Sequence, residues 1–261
     1  MHFMLKVDFN IAMQRSYGFS QDEFNSSVDW RLIRVLYELF SLNGVQSIPK
    51  KIHQIWLGGK LPEEYRGWTK TWEAFHPSWE YKLWTDADVN KINITSIDYF
   101  NKCTNPAMKS DILRYEILRQ IGGLYIDTDF ECLKPFDDLL SLHFFTGIGY
   151  DRVLQLYNGL IASVPDHPII NDCVNIRGEY QGGRGVVALN TTGANFFTRC
   201  FINNISEGVV ALPVEYFYPF PNNVRNEENP YKYVTENSYA IHHWAVSWTR
   251  RNLKKQRNVS K

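Results

Sequence analysis

The sequence predicts an α/β fold whose ligand site lies at the carboxyl ends of its strands. Three observations carry that expectation. After Pro49 the run KKIHQIWLGG reads as a strand that ends in a glycine loop. Residues 106–121, PAMKSDILRYEILRQI, read as a helix bracketed by Pro106 at its start and Gly122-Gly123 at its end. LYIDTDF follows at once as a second apolar run.

Taken in order, the first element is a helix over 29–42, DWRLIRVLYELFSL, with Asn43-Gly44 as its stop. Its apolar residues surround much of the circumference, as expected of a helix docked on a core. A membrane-surface or partner helix is the alternative, although Arg31 and Arg34 alone supply its polar face with cations. The strand before Gly58 comes next, and EYKLWTD reads as a further short strand followed by a helix that Thr85 or Asp86 can cap. The helix over 106–121 and the run LYIDTDF complete a strand, helix, helix, strand series. Residues 178–193, GEYQGGRGVVALNTTG, are glycine-rich and are expected to form a mobile loop or hairpin, without a P-loop or GxGxxG pattern.

The 261 residues suffice for a continuous core without disulfides or structural metals. Lys plus Arg and Asp plus Glu number 28 each, so the chain carries no net charge and is a poor candidate for coating nucleic acid. Neutrality is a cancellation. Arg250, Arg251, Lys254, Lys255, Arg257 and Lys261 form a basic tail with no acid, and 22 basic residues face 28 acidic ones in residues 1–248. That tail is expected to approach anionic lipid, to close over a bound diphosphate or to be a disordered terminus. The four cysteines, Cys103, Cys132, Cys173 and Cys200, form no CxxC pair and read as reduced thiols. No spanning segment or signal peptide is expected, which points to a cytoplasmic location, with peripheral contact at the inner membrane face through the tail. Aromatic residues make up 15% of the chain, as core or as platforms for sugars and bases.

The chemistry centres on Asp127-Thr128-Asp129. Alternation along an extended segment places Asp127, Asp129 and Tyr125 on one face. Two adjacent carboxylates at a strand end repel unless a cation lies between them, and Mg²⁺ or Mn²⁺ suits oxygen ligands with open positions for phosphate. A bare DxD arises by chance about 0.75 times in a chain of this composition. There are two, and the other, Asp86-Ala87-Asp88, stands where a helix begins and is expected to cap it. Asp111 and Arg114, three apart on the helix before the DxD, share a face. Alone they read as a surface ion pair, but a helix that feeds a strand through a two-residue turn borders that strand's end, where an arginine can fork onto phosphate. In YAIHHWAVSWTR, one imidazole of His242 and His243 can complete a cation site, and Ser247 and Trp248 can donate to phosphate oxygens. Trp56, at the end of the first strand, is placed to stack on a base; alternation groups it with Ile52 and Gln54 and turns His53 the other way, as a structural residue.

Four blocks, IPKKIHQIWLGG, the Trp-rich segment through YKLWTDAD, SDILRYEILRQIGGLYIDTDFECLKP and IHHWAVSW, resemble the signature of the family 32 glycosyltransferases in that family's order, from about Ile48 to Trp248. The donor site is similar to that of the large clostridial glucosylating toxins. The resemblance implies a GT-A fold, a Rossmann-like mixed sheet flanked by helices, with residues 1–47 as a helical extension, 48–249 as the catalytic domain and 250–261 as the tail. It implies a nucleotide-sugar donor, Mn²⁺ or Mg²⁺, and retention at the anomeric carbon. The acceptor is expected to be a glycan or lipid-linked oligosaccharide, with a protein acceptor as the toxin-like alternative. Asp111, Arg114, Asp127 and Asp129 match the catalytic set. Trp56, Tyr125, Asn158, Ser247 and Trp248 match donor contacts, and Asp129 with Asp127 and His242 (alternatively His243) match the metal side. A metal-dependent phosphohydrolase would need a richer ligand set for two metals. A non-catalytic nucleotide-sugar-binding module would bind donor without turnover.

Overall fold

A computed structural model describes residues 6–14, 20–42, 44–150, 154–176 and 186–245. The strands are β1 (Lys51–Ile55), β2 (Glu80–Trp84), β3 (Gly123–Ile126), β4 (Phe130–Cys132), β5 (Phe144–Tyr150), β6 (Leu154–Ser163), β7 (Val209–Leu212) and β8 (Ala240–His242). Six of them form one sheet in the order β2-β1-β3-β6-β5-β7, and β4 pairs with β8 in a separate ribbon. All strands of the large sheet run one way except β6, which is antiparallel to both β3 and β5. The α-helices are α1 (Phe9–Met13), α2 (Gln21–Ser26), α3 (Val28–Leu39), α4 (Glu63–Phe75), α5 (Ile97–Lys102), α6 (Pro106–Ile121), α7 (Pro168–Val174), α8 (Val186–Thr191), α9 (Ala194–Asn203) and α10 (Val214–Phe217). This is the expected α/β arrangement, a mixed sheet flanked by helices.

Local chemistry explains the elements that carry the site. Every residue of β3 is buried, as a central strand covered on both faces requires. Helix α6 starts on Pro106 with the Asn105 side chain accepting from the Ala107 amide at 3.0 Å, and it ends at Gly122 with φ 67°. Gly123, at φ 101°, lets β3 lie against β1, because a Cβ there would be 2.6 Å from the Lys51 carbonyl oxygen. The imidazole of His53 on β1 closes this corner as a structural group. Its Nδ1 accepts from the Trp84 indole N–H at 3.2 Å, so the proton sits on Nε2, 2.9 Å from the Gly122 carbonyl oxygen.

Three expectations need correction. The run LYIDTDF is not one strand. β3 stops at Ile126, the Phe130 amide donates to the Asp127 carbonyl at 3.2 Å, and the resulting turn sends the chain into β4. Asp-Thr-Asp suits a turn because its short polar side chains compete for backbone partners. Helix α3 ends at Leu39 rather than residue 42, since Phe40 leaves it with ψ 146° and its ring packs on Tyr37. Within the glycine-rich stretch, residues 186–191 are helical and turn directly into α9, which supplies the packing that the short segment lacks alone. Residues 177–185 lie outside the described residues.

Helix α3 has two apolar faces. Ile33 and Tyr37 enter the same core as the sheet, and the Tyr37 hydroxyl lies 2.8 Å from that of Tyr216. Val28, Leu32, Val35 and Leu39 are exposed on the other side. Among the described residues no helix is long and apolar enough to cross a membrane.

Candidate active site

The site forms where the ends of β1 and β3 meet the middle of β6, with α6 along one side and the β4–β8 ribbon along the other. Arg114 is its hub. Its Nη2 lies 3.0 Å from Asp111 Oδ1 and its Nη1 lies 3.3 Å from Asp127 Oδ1, while Nη1 donates to the Asn158 carbonyl at 2.5 Å. The guanidinium sits 4.4 Å from the centre of the Tyr125 ring. Asp111 and Arg114 are therefore a buried pair at the DxD, 8% and 5% exposed, rather than a surface one.

Asp111 has partners on both oxygens and keeps acceptor capacity on Oδ2. Asn158 Nδ2 donates to Oδ1 at 2.9 Å and also to the Tyr115 hydroxyl at 3.0 Å, and the Thr192 hydroxyl donates to Oδ2 at 2.8 Å. Burial pushes the Asp111 carboxyl up to about 6, with Arg114 holding it down. Asp127 accepts from the Tyr125 hydroxyl at 2.6 Å, and its amide donates to the Gly159 carbonyl at 2.8 Å. Burial raises its pKa above the ordinary value, Arg114 opposes this and the charge on Asp129 adds to it. A Cβ at Gly159 would lie 2.8 Å from Asp127 Oδ2, so glycine leaves that oxygen its room.

Asp129 faces the ribbon. Its Oδ1 lies 3.0 Å from His242 Nε2, and its Oδ2 accepts from the Ala245 amide at 2.9 Å. Burial pushes this carboxyl up, but His242 and the Ala245 amide outweigh that and hold it below its usual value. Asp127, Asp129 and His242 bring one ligand atom each within 4.8 Å of one another. The pair Phe130 and His242 is in register in the β4–β8 ribbon, which is how a residue so distant in sequence reaches the DxD turn. His243 faces elsewhere, with Nε2 2.9 Å from Glu131 Oε2 and its ring stacked on Trp68 at 4.3 Å. Three carboxylates, Asp111, Asp127 and Asp129, thus share the site with one guanidinium, which touches the first two. A second cation is what the charge balance lacks, and two carboxylates with an imidazole are donors that could hold a divalent metal ion.

The other expected residues distribute as follows. Trp56 is partly exposed just past the end of β1, 5.0 Å from the Tyr65 ring. Tyr125, expected on the donor surface, is 1% exposed beneath Arg114; its packing supports Arg114 and its hydroxyl supports Asp127. Alternation along a strand is not what unites Asp127 and Asp129, since both stand in the turn after β3. The second DxD is a cap: Asp88 accepts from the Thr85 amide and hydroxyl at 3.1 and 3.0 Å, and Asp86 accepts from the Gly58 amide at 2.9 Å. Ser247, Trp248, Arg250 and Arg251 lie outside the described residues. Gln54, whose Nε2 donates to the Asp127 carbonyl at 3.3 Å, shares the strand face assigned to Trp56. Thr192 and Tyr218 had no motif to mark them, and Tyr115 lay within the block SDILRYEILRQ without being singled out.

The fold is of the GT-A type found in glycosyltransferases. Residues 62–145 match the glycosyltransferase sugar-binding region containing the DXD motif, in keeping with the family 32 resemblance of the sequence. It is 29% identical over 214 residues to an uncharacterised glycosyltransferase of Acanthamoeba polyphaga mimivirus, covering 77% of this chain and 84% of that protein. It is 32% identical to inositol phosphoceramide mannosyltransferase 2 of Schizosaccharomyces pombe over 51% of this chain, and spans 39% of that longer relative. Among solved structures, the PaToxG glycosyltransferase shares the fold with a TM-score of 0.53 at 22% identity, over 70% of this chain and 76% of that one.

Proposed function

We propose that the chain transfers a hexose from a nucleoside-diphosphate sugar to a hydroxyl of a glycan or lipid-linked acceptor, with retention of anomeric configuration and dependence on a divalent cation. The observation that carries this is Arg114 clasped between Asp111 and Asp127 beside the Asp127, Asp129 and His242 group. Asp129, with Asp127 and His242, would hold Mn²⁺ or Mg²⁺, which supplies positive charge against the diphosphate as the sugar–phosphate bond breaks. Asp111 and Arg114 orient the sugar hydroxyls and arrive pre-organised by Asn158, Thr192 and Tyr125, so little ordering remains to be done on binding. Trp56 offers a face to the base. No side chain of the set is assigned as a covalent nucleophile. The acceptor hydroxyl attacks from the face that the diphosphate leaves, and a phosphate oxygen of the leaving group takes its proton. Relatives named as inositol phosphoceramide mannosyltransferases favour a mannosyl donor and a lipid-borne acceptor.

The test is a panel of UDP- and GDP-sugars, GDP-mannose first, with Mn²⁺ or chelator, scored by slow donor hydrolysis. One donor is expected to turn over only with metal. Asp129→Asn is expected to lose at least about a hundredfold in turnover, as when an electrostatic anchor of a transition state is removed. Full activity of that variant in chelator would remove the cation from the mechanism.

A further inference from the structure

Tyr218 follows α10 and belongs to none of the motifs that led to the site. It is 4% exposed, and its hydroxyl is buried without a hydrogen-bond partner among the described residues. The ring sits in a cradle made for it. A Cβ at Gly147 on β5 would lie 2.5 Å from Tyr218 Cε2, and two residues on a Cβ at Gly149 would lie 2.0 Å from Cε2 of Tyr157. The two glycines thus share one face of β5 and admit two stacked-in tyrosines, whose rings meet edge to face at 5.0 Å. Tyr218 also packs edge to face on Phe130 at 5.3 Å and on His242 at 5.8 Å. These neighbours put it against the candidate metal side of the cleft.

A phenol, with an ordinary pKa of about 10, is a proton donor at neutral pH. A buried donor without a partner carries a desolvation cost, and phenylalanine would fill the same cradle without it. The cost is offset once an acceptor oxygen arrives.

We propose that Tyr218 is a donor-contact residue whose hydroxyl hydrogen-bonds a diphosphate oxygen docked between Asp127, Asp129 and Arg114, a role that rests on the nucleotide-sugar reading above. Phosphate is the acceptor chemistry that matches. The carboxylates on this side need a donor and a cation between themselves and an anionic ligand, and a neutral phenol adds a directed donor without adding charge. The hydroxyl is closed off from solvent, and side-chain shifts of the kind that accompany binding would bring it into reach.

The experiment is calorimetric titration of native chain and Tyr218→Phe with UDP and with GDP, each with Mn²⁺, together with the corresponding sugar nucleotides and thermal melts of the unliganded proteins. Native chain is expected to bind one of the bare diphosphates, and Tyr218→Phe to bind it about ten- to a hundredfold more weakly. The unliganded variant is expected to melt at the native temperature or above it, which a hydroxyl that merely holds the fold would not allow. Equal affinity in the two proteins overturns the assignment while leaving the donor reading intact. So does a loss confined to the sugar nucleotides, which would place the hydroxyl on the sugar, or a lower melting temperature alongside the lost affinity. If native chain binds neither UDP nor GDP, the donor reading and the Tyr218 assignment fall together.

Discussion

Arg114 decides the charge balance of the cleft. It is 6% exposed at the side chain and touches two carboxylates and a carbonyl, so its removal leaves Asp111 and Asp127 facing each other in a partly dry site. Arg114→Met is expected to cost about 3 kcal/mol or more at pH 7.5 and to abolish donor binding. The deficit narrows as pH falls. A buried acid whose folded pKa is raised binds its proton more tightly when folded, so the burden of ionising Asp111, already titrating at about 6, is lifted below that pH. Urea unfolding at pH 7.5 and 5.5 measures both effects, and a deficit that widens at the lower pH would contradict the assignment. At this scale the spacing of Asp111 and Arg114 and the DxD itself were legible, because one helix turn and three consecutive residues encode them. Thr192 and Tyr218 were not. Each reaches the site from a separate part of the chain, 81 residues away from Asp111 in the case of Thr192, through packing that no local pattern records.

Helix α6 was legible from end to end because Pro106 and Gly122 are local signals that act whatever the rest of the fold does. Helix α8 was hidden because glycine content upstream suggested a loop, while its stability comes from α9. The β1–β2–α6 corner makes a separate prediction through His53, which is 3% exposed and held by burial down to about 4, with the Gly122 carbonyl opposing the shift. Its neutral form is required, since protonated Nδ1 would present a hydrogen to the Trp84 indole N–H. The imidazole's folded pKa lies below its unfolded value of about 6.5, so the unfolded chain takes up the proton first. This contribution is complete above pH 6.5 and is lost as pH falls toward 4, by about 3 kcal/mol in all. His53→Gln keeps a donor and cannot titrate. Its unfolding midpoint in urea is expected to vary less steeply between pH 7 and 4.5 than that of the native chain, and parallel profiles would refute the role.

Across the whole molecule, the sheet order β2-β1-β3-β6-β5-β7 was beyond reach of the sequence, because the insertion of antiparallel β6 between β3 and β5 depends on long-range pairing rather than on composition. That insertion brings Asn158 and Gly159 to the end of β3. Because α6, β3, β6 and the ribbon all contribute to one site, ligand binding is expected to stabilise the entire domain. Mn²⁺ with the cognate nucleoside diphosphate at a hundred times its Kd should raise the melting temperature by roughly 5–10 °C. Asp129→Asn should show no such rise, and an undiminished shift in that variant would locate the ligand elsewhere. The β4–β8 ribbon carries a further consequence, for synthesis. Asp129 and His242 are 113 residues apart, and a ribosome adds residues at about 5–20 per second, so the DxD turn emerges on the order of ten seconds before its imidazole partner. During that interval the nascent polypeptide lacks the third side chain of the cluster. The three-residue cluster is therefore complete only once β8 has been made and has paired with β4.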